Sequence, residues 1–304
     1  MSALRNTFKH LVGKSTLTQG IAIRRDYEEW FDAPGRGECR EITLLFGSHE
    51  IAVTLRRLDN ENGSVQIRYE SKRHAALRAW LHTVFAPFLA GESPYPGLLE
   101  LRKVDSDNYR LEPLRAEDAC RLRLCLGPGL YHNGAESLGA ASHPFAEIPE
   151  VIGSVGFRPE YGQTQYNEHI RTVFVERGWR SDEPVVPELP LRFDFRKDDY
   201  QVEVEFGNAR SYYQDYLKFL LPFTRGIIRV GVLLVPTADF ARLLCAGGTR
   251  RATNRATRAG LQLDRPPKYS GMVTYEKVER EFQALRFILN MPVIVRGIDF
   301  WGQA

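Results

Sequence analysis

Several common sources of protein chemistry are missing from this sequence. Cysteine is scarce: four residues, at positions 39, 120, 125 and 245, with no CxxC pair among them. That count and spacing exclude a zinc knuckle and a dense disulfide framework, so the thiols read as free in a reducing compartment. No GxGxxG joins a strand to a helix, and no GKS or GKT phosphate loop occurs; the one Gly-Lys, Gly13–Lys14, lacks the earlier glycine. HExxH and GxSxG are absent as well, and the seven histidines are scattered. No organic cofactor is expected. Long apolar runs are also lacking: nothing approaches the ~18 residues of a membrane span. The opening MSALRNTFKHLVGK holds no apolar stretch of signal-peptide length, so a soluble, cytoplasmic protein without a membrane partner is expected. Lysine is rare, only eight of the 41 basic residues, and the net charge is only +3. A polyanion would therefore have to be met by local arginine, whose planar fork suits phosphate and guanine edges.

What is present points to two domains. The 304 residues are long for one core at roughly 100–200 residues per domain. Residues 127–144 (GPGLYHNGAESLGAASHP) are rich in Gly, Ser and Ala without periodicity and read as a linker. The shorter GESPYPGL at 91–98 runs straight into strand-like alternation and reads as a loop within a domain. The expected division is 1–126, a linker over 127–144, and 145–304.

Short β-like runs at 17–23, 41–46, 50–57, 64–69, 98–103 and 108–112 predict a mostly-β first domain, a small barrel or pseudobarrel. Helical spacing appears near 25–31 and at 73–89, where Leu77, Leu81, Val84, Phe85 and Phe88 share a face. The second domain reads as α/β with a mixed sheet. A helix over 163–177 stops at Gly178, strands occupy 190–196 and 200–206, and an amphipathic helix covers 210–222. A buried strand at 227–235, a helix at 273–289 and a short strand at 292–296 complete it, the 210–222 helix carrying the crossover.

The chemistry concentrates in LRFDFRKDDYQVEVEFGN, residues 191–208. With Asp198 and Asp199 at the centre of a hairpin turn, Lys197 pairs with Tyr200, Arg196 with Gln201, Phe195 with Val202, and Asp194 with Glu203. Glu203 and Glu205 then share a face, opposite Val202, Val204 and Phe206. Three carboxylates so close repel one another, and a shared proton or a divalent cation relieves them. A hard ion such as Mg²⁺ takes oxygen ligands, here Asp194, Glu203 and the carbonyl of Val204. Glu205 would orient or deprotonate an attacking water or hold a second ion. A solvated edge-strand face would show the same pattern of acids. Downstream, GGTRRATNRATRAG at 247–260 reads as a basic loop: Arg250, Arg251, Arg255 and Arg258 with Asn254 and no acid, suited to a nucleic-acid backbone and base edges or to a solvated loop.

Asp194, the EVEFGN stretch at 203–208, the YYQDYLKF helix at 212–219 and the apolar GVLLVP at 231–236 together resemble the BglII/BamHI-like restriction endonucleases, of the PD-(D/E)XK nuclease superfamily. The resemblance implies a Mg²⁺-dependent hydrolase of double-stranded DNA leaving 5′-phosphate and 3′-hydroxyl ends, dimeric through its catalytic domain. It carries metal binding to Asp194 and Glu203 and the third position to Glu205, where the superfamily often has lysine. It adds Glu168, on the preceding helix, as a supporting acid. Lys218 reads as a surface lysine lying along its helix. In the first domain, TLTQGIAIRR (16–25), SVQIRYESKRH (64–74) and NYRLEPL (108–114) resemble the DNA-recognition pseudobarrel of plant B-three transcription factors, also found in EcoRII- and BfiI-type restriction enzymes. That likeness implies two DNA-gripping arms: Thr16, Thr18, Gln19, Arg24 and Arg25 on the first, and Gln66, Arg68, Tyr69, Ser71, Lys72 and Arg73 on the second.

The function expected is a site-specific type II endonuclease. A DNA-binding protein that does not cleave, and a nuclease directed at modified or damaged DNA, are the alternatives that the sequence leaves open.

Overall fold

A computed structural model describes residues 7–59, 63–89, 96–114, 121–140, 142–207, 212–259 and 272–303. The expected loop at 91–98 thus lies largely outside the described residues, as do Cys120, Asn208 and residue 260. The chain forms two units, Met1–Ala119 and Cys120–Ala304, each with its own mixed sheet.

The first unit contains β1 (Thr7–Leu11), β2 (Gly20–Ile23), β3 (Cys39–Phe46), β4 (His49–Arg57), β5 (Val65–Arg68), β6 (Leu98–Lys103) and β7 (Asn108–Pro113). They lie in the order β1-β6-β7-β3-β4-β5-β2, antiparallel except for β3 with β7. The edge strands β1 and β2 are neighbours in sequence, joined through the short helix α1 (Lys14–Thr18). That connection draws the two ends of the seven-stranded sheet together and leaves it nearly closed. Helix α2 (Ala75–Leu89) lays Leu77, Leu81 and Phe85 into the interior, with Val84 and Phe88 flanking, as their spacing predicts. Two details differ from expectation. Residues 17–18 belong to α1 rather than to a strand, and the helical pattern near 25–31 yields only a 3₁₀ turn at Arg25–Tyr27. That segment is fixed by aromatic packing instead: Phe8 of β1 meets the edges of Tyr27 and Phe31 at 5.0 and 5.3 Å.

The second unit holds β8 (Leu122–His132), β9 (Arg180–Pro184), β10 (Arg192–Lys197), β11 (Tyr200–Val204), β12 (Val230–Pro236) and β13 (Val293–Gln303), in the order β8-β13-β12-β11-β10-β9. Its helices are α3 (Ala135–Ala140), α4 (His143–Ser154), α5 (Gln163–Glu176), α6 (Tyr213–Thr224), α7 (Ala238–Arg258) and α8 (Tyr275–Leu285). β11, β12 and β13 run parallel, with α6 crossing from β11 to β12. β12 is buried along its whole length, as its unbroken apolar run requires. Gly178 follows α5 with φ +80°, the helix stop expected there.

Two sequence readings are corrected. Residues 127–144 are not a linker: they form the end of β8, then α3 and the start of α4, and the chain divides at Ala119/Cys120 rather than near 126. The glycines there mark close packing, not freedom. A Cβ on Gly129 would lie 2.7 Å from the Arg296 side chain, and one on Gly127 3.5 Å from the Gly297 carbonyl of β13. Nor are residues 247–258 a loop. They continue α7, whose N-terminus is capped by the Thr237 hydroxyl accepting from Phe240 N–H at 3.3 Å. Alanine and arginine are good helix formers, and Gly247–Gly248 is buried where α7 meets residues 159–161. Among the described residues no helix is long and apolar enough to cross a membrane.

Candidate active site

The β10–β11 hairpin has the register that its charged turn predicts. Lys197 pairs with Tyr200, Arg196 with Gln201 and Phe195 with Val202 around Asp198–Asp199, and Asp198 takes φ +50° to make the turn. The ladder stops short of Asp194. There the side chain replaces the backbone bond: Asp194 Oδ2 accepts from Val204 N–H at 2.8 Å. Asp194 and Glu203 still sense each other, each carboxylate surrounded by little water. Burial raises the pKa of Asp194, and burial followed by the charge of Asp194 pushes Glu203 well above the ordinary carboxylate range.

Glu203 is fully buried and held from two sides. Gln201 Nε2 donates to Glu203 Oε1 at 2.8 Å, and Gln201 Oε1 in turn accepts from the buried Arg196 at 2.6 Å. From α6, Lys218 Nζ donates to Glu203 Oε2 at 2.8 Å and lies 3.0 Å from Asp215 Oδ1. Lys218 is therefore no surface lysine; it is the internal counter-ion of the site. Burial alone would lower its pKa, but Glu203 and Asp215 outweigh that and raise it. Asp215, also buried, is lifted to about 7 mainly by desolvation, and its Oδ2 meets no hydrogen-bond donor among the described residues.

Three buried or half-buried carboxylates thus face a single ammonium. Glu205 lies beyond them, its Oε1 accepting from Gly207 N–H, and a Cβ at Gly207 would strike that oxygen. The charge balance tests for a metal. Among the described residues, no three His, Cys, Asp or Glu side chains form a ready metal cage. The donor set is nevertheless all oxygen, deficient in positive charge, and contains one orphaned buried carboxylate oxygen. Those features fit a hard divalent ion that keeps water and substrate oxygens in its shell, rather than one enclosed by protein.

A cavity of about 350 Å³ opens beside the hairpin, between α5 and β10. Asp194 and Val204 line it, as do Glu168, Asn167 and Arg171 of α5. The fold brings Glu168 to the same space as Asp194, while Glu203 stands behind with Lys218 and Asp215. At the rim, Asp182 ties down Arg192 at 2.7 Å and Arg171 at 3.6 Å.

Four residues of this network were not singled out from the sequence as site residues: Arg196, Gln201, Asp215 and Lys218. The Asp215/Lys218 pair, three apart on α6, carries the pattern of an ordinary surface ion pair. The one signal against that reading is the position of α6 in the crossover, which turns one of its sides onto the sheet.

The residues proposed for DNA contact fall into two sets. In the first unit, the two arms are neighbouring strands: Gly20 pairs with Arg68 and Ala22 with Gln66 along β2–β5. Thr18, Gln19, Arg25, Ser71, Lys72 and Arg73 are exposed, and Arg24, Gln66 and Arg68 half-exposed, with Arg68 bound to Glu70. Tyr69 and Thr16 are corrected. Both are buried, and the Tyr69 hydroxyl donates to the Thr16 carbonyl, so neither presents a side chain to a ligand. Period-two alternation from Val65 and Ile67 already assigns Tyr69 to the interior. In the second unit, α7 aligns Arg250, Asn254 and Arg258 along one exposed stripe, with Arg255 beside it. Arg251 instead donates to the Glu160 carbonyl at 2.7 Å and packs on Gly162.

No curated protein matches the chain in sequence. Among solved structures, similarity is found to the crystal structure of restriction endonuclease BglII complexed with a DNA 16-mer. That similarity spans 56% of this chain and 76% of that chain at 16% identity, with a TM-score of 0.37. The family described as restriction endonuclease BglII/BglIII matches residues 130–298, which takes in β8, the β10–β11 hairpin with its carboxylates, and α6. With more than half its length matched, the chain belongs to the restriction endonuclease BglII/BglIII family, and is thereby a type II site-specific deoxyribonuclease.

Proposed function

We propose that the chain cleaves double-stranded DNA at a defined site by Mg²⁺-dependent hydrolysis, leaving 5′-phosphate and 3′-hydroxyl ends. The observation that carries this reading is the buried Glu203, held by Gln201 and Lys218 on the strand beside Asp194. A carboxylate that costly to bury is retained where its charge is used. Asp194 and Glu203 would hold the ion, with the Val204 carbonyl as a further oxygen. When bound, Mg²⁺ supplies Lewis-acid polarisation of the scissile phosphate and a water of lowered pKa.

The chain's own groups do the rest. Val204 N–H fixes Asp194, and Gln201 and Lys218 fix Glu203, so both carboxylates are oriented before substrate arrives. Glu205 occupies the third position, where it would accept a proton from the attacking water, and Glu168 supports from the cavity wall. Arg171 and Arg192 at the rim would draw in the phosphodiester. The finer fold proposed is a PD-(D/E)XK core in the second unit and a B-three-like pseudobarrel in the first, whose arms would read DNA through Thr18, Gln19, Arg24, Arg25, Gln66, Arg68, Lys72 and Arg73. The α7 stripe of Arg250, Asn254, Arg255 and Arg258 would add backbone or base contacts, with Arg251 bracing the turn beside it. Cutting both strands calls for a homodimer through the catalytic unit. Free thiols at Cys39, Cys125 and Cys245 suit a cytoplasmic location.

The test is digestion of unmethylated phage DNA by the wild type, Asp194→Asn and Glu203→Gln, in Mg²⁺ and in EDTA. Discrete fragments with 5′-phosphate ends, produced only by the wild type with Mg²⁺, are expected. Fragments in EDTA, or undiminished cutting by both variants, would overturn the assignment.

A further inference from the structure

A second cavity in the catalytic unit, of about 360 Å³, lies where α5 meets the start of β8. It shares no lining residue with the cavity at Asp194. Its walls carry Arg121, Arg123 and Arg158, together with Tyr161 and His169, and no carboxylate. None of the three arginines forms an ion pair with an acid among the described residues. Three guanidinium groups around one hollow, without a counter-charge, repel one another unless an anion is shared between them.

The frame of the cavity is built rather than loose. Phe157 N–H donates to the Leu122 carbonyl and Leu124 N–H to Val155, both at 2.8 Å, so β8 is stitched to the segment after α4. Arg123 is steadied by the Ser154 carbonyl at 2.8 Å. The Tyr166 hydroxyl bonds both the N–H and the carbonyl of Arg158 at 2.8 Å, and Arg251 grips the Glu160 carbonyl from α7. On this frame the Tyr161 and His169 rings lie almost parallel, 21° apart at 5.1 Å, with a 3.1 Å bond between hydroxyl and imidazole. Fixed guanidinium groups beside a stacked aromatic surface suit a phosphate attached to a sugar and base. The cavity is large enough for such a unit, being within the roughly 300–1,000 Å³ of small-ligand pockets.

We propose that this cavity seats a nucleotide phosphate of the DNA strand, away from the scissile one, with Arg121, Arg123 and Arg158 as its clamp. The inference rests on the endonuclease reading above. Helix α5 supports the placement: Glu168 and Arg171 face the catalytic cavity while His169, one residue on, faces this one. A backbone passing along α5 would touch both. The contact is to phosphate, so it adds affinity and register without reading sequence.

The experiment is fluorescence anisotropy of a mixed-sequence 30-base-pair duplex in EDTA, titrated across KCl concentrations. It compares the wild type, Arg121→Gln/Arg158→Gln, and the charge-matched control Arg280→Gln/Arg286→Gln on the far side of the sequence. Arg121 and Arg158 are exposed and their side chains hold no hydrogen bond among the described residues, so the variant should fold; circular dichroism checks this. The expected result is a fall in affinity of about tenfold or more at low salt. The slope of log affinity on log salt should flatten by about 1–2, at roughly 0.9 per phosphate lost, while the control matches the wild type. Equal slopes and affinities for wild type and variant would overturn the proposal while leaving the endonuclease reading in place. No duplex binding by the wild type would remove both. A parallel titration with a 5′-phosphorylated trinucleotide separates the sources: variant-sensitive binding there, with duplex binding unchanged, assigns the cavity to a free strand end and overturns the duplex path.

Discussion

Lys218 Nζ sits 2.8 Å from Glu203 Oε2 and 3.0 Å from Asp215 Oδ1, and so joins the crossover helix to the strand that carries the active-site carboxylate. One ammonium serves two buried acids. Breaking such a pair leaves an uncompensated charge, which costs about 3–5 kcal/mol in general. Lys218→Met is therefore expected to lower the melting temperature in EDTA by ten degrees or so, on the basis of roughly 2–4 °C per kcal/mol. Adding Glu203→Gln should recover part of that loss, because the neutral amide no longer needs a counter-ion. Thermal melts of both single variants and the double variant measure the coupling; additive losses would show that the pair is not energetically joined.

Asp215 gives a pH test. Its folded pKa, about 7, lies above the ordinary aspartate value, so the folded state holds this proton more tightly than the unfolded chain. The stabilisation from that proton is fully present below about pH 4 and is lost as pH rises toward and through 7. Asp215→Asn removes the dependence. His74, whose pKa is lowered mainly by desolvation, acts in the opposite sense over part of this range, but it is common to both proteins. The difference in melting temperature, wild type minus Asp215→Asn, should fall by several degrees between pH 5.5 and 8 in EDTA. A flat difference would refute the raised pKa.

Much of this was legible from sequence. The turn at Asp198–Asp199 fixed the hairpin register because two charged residues between alternating strands leave few other places for a reversal. Helix α2 was legible because Leu77, Leu81 and Phe85 leave one continuous apolar face. The linker and the basic loop were misread for a shared reason: glycine was taken as freedom, whereas Gly129 and Gly247 make room for Arg296 and for the segment at Pro159. Asp215 and Lys218 were hidden because an acid and a lysine three apart look alike on a wet or a buried helix face. Only their distance to Glu203, fifteen residues before Lys218, distinguishes the two.

The first unit yields a contrast between neighbours on one strand. Gln66 and Arg68 face outward on β5, while Tyr69 just beyond it is buried with its hydroxyl on Thr16. Gln66→Ala/Arg68→Ala is expected to weaken binding of the cognate duplex several-fold with no loss of stability. Tyr69→Phe should leave affinity unchanged and lower stability by about 1 kcal/mol, the usual worth of one hydrogen bond. Anisotropy and urea unfolding read the two quantities separately. Reduced affinity in folded Tyr69→Phe would place that side chain at the DNA after all.

Gly231 tests whether packing under α6 reaches the chemistry. It lies on β12 directly beneath Phe219, and a Cβ there would fall 2.6–2.9 Å from three ring carbons. Real side chains do not approach so closely, and Phe219 is fully buried with no free volume to swing into. The methyl group of Gly231→Ala must therefore lift α6 from the sheet, at a cost of about 1–3 kcal/mol. Phe219 adjoins Lys218, so the same displacement draws the ammonium away from Glu203. The expected outcome is a lower melting temperature together with a cleavage rate at least tenfold down at 15 °C, where the variant is still folded. Phe219→Leu added to Gly231→Ala relieves the clash and should restore part of both. Full activity in Gly231→Ala would mean that the position of Lys218 does not govern the reaction; a destabilised but fully active protein would confine α6 to a structural role.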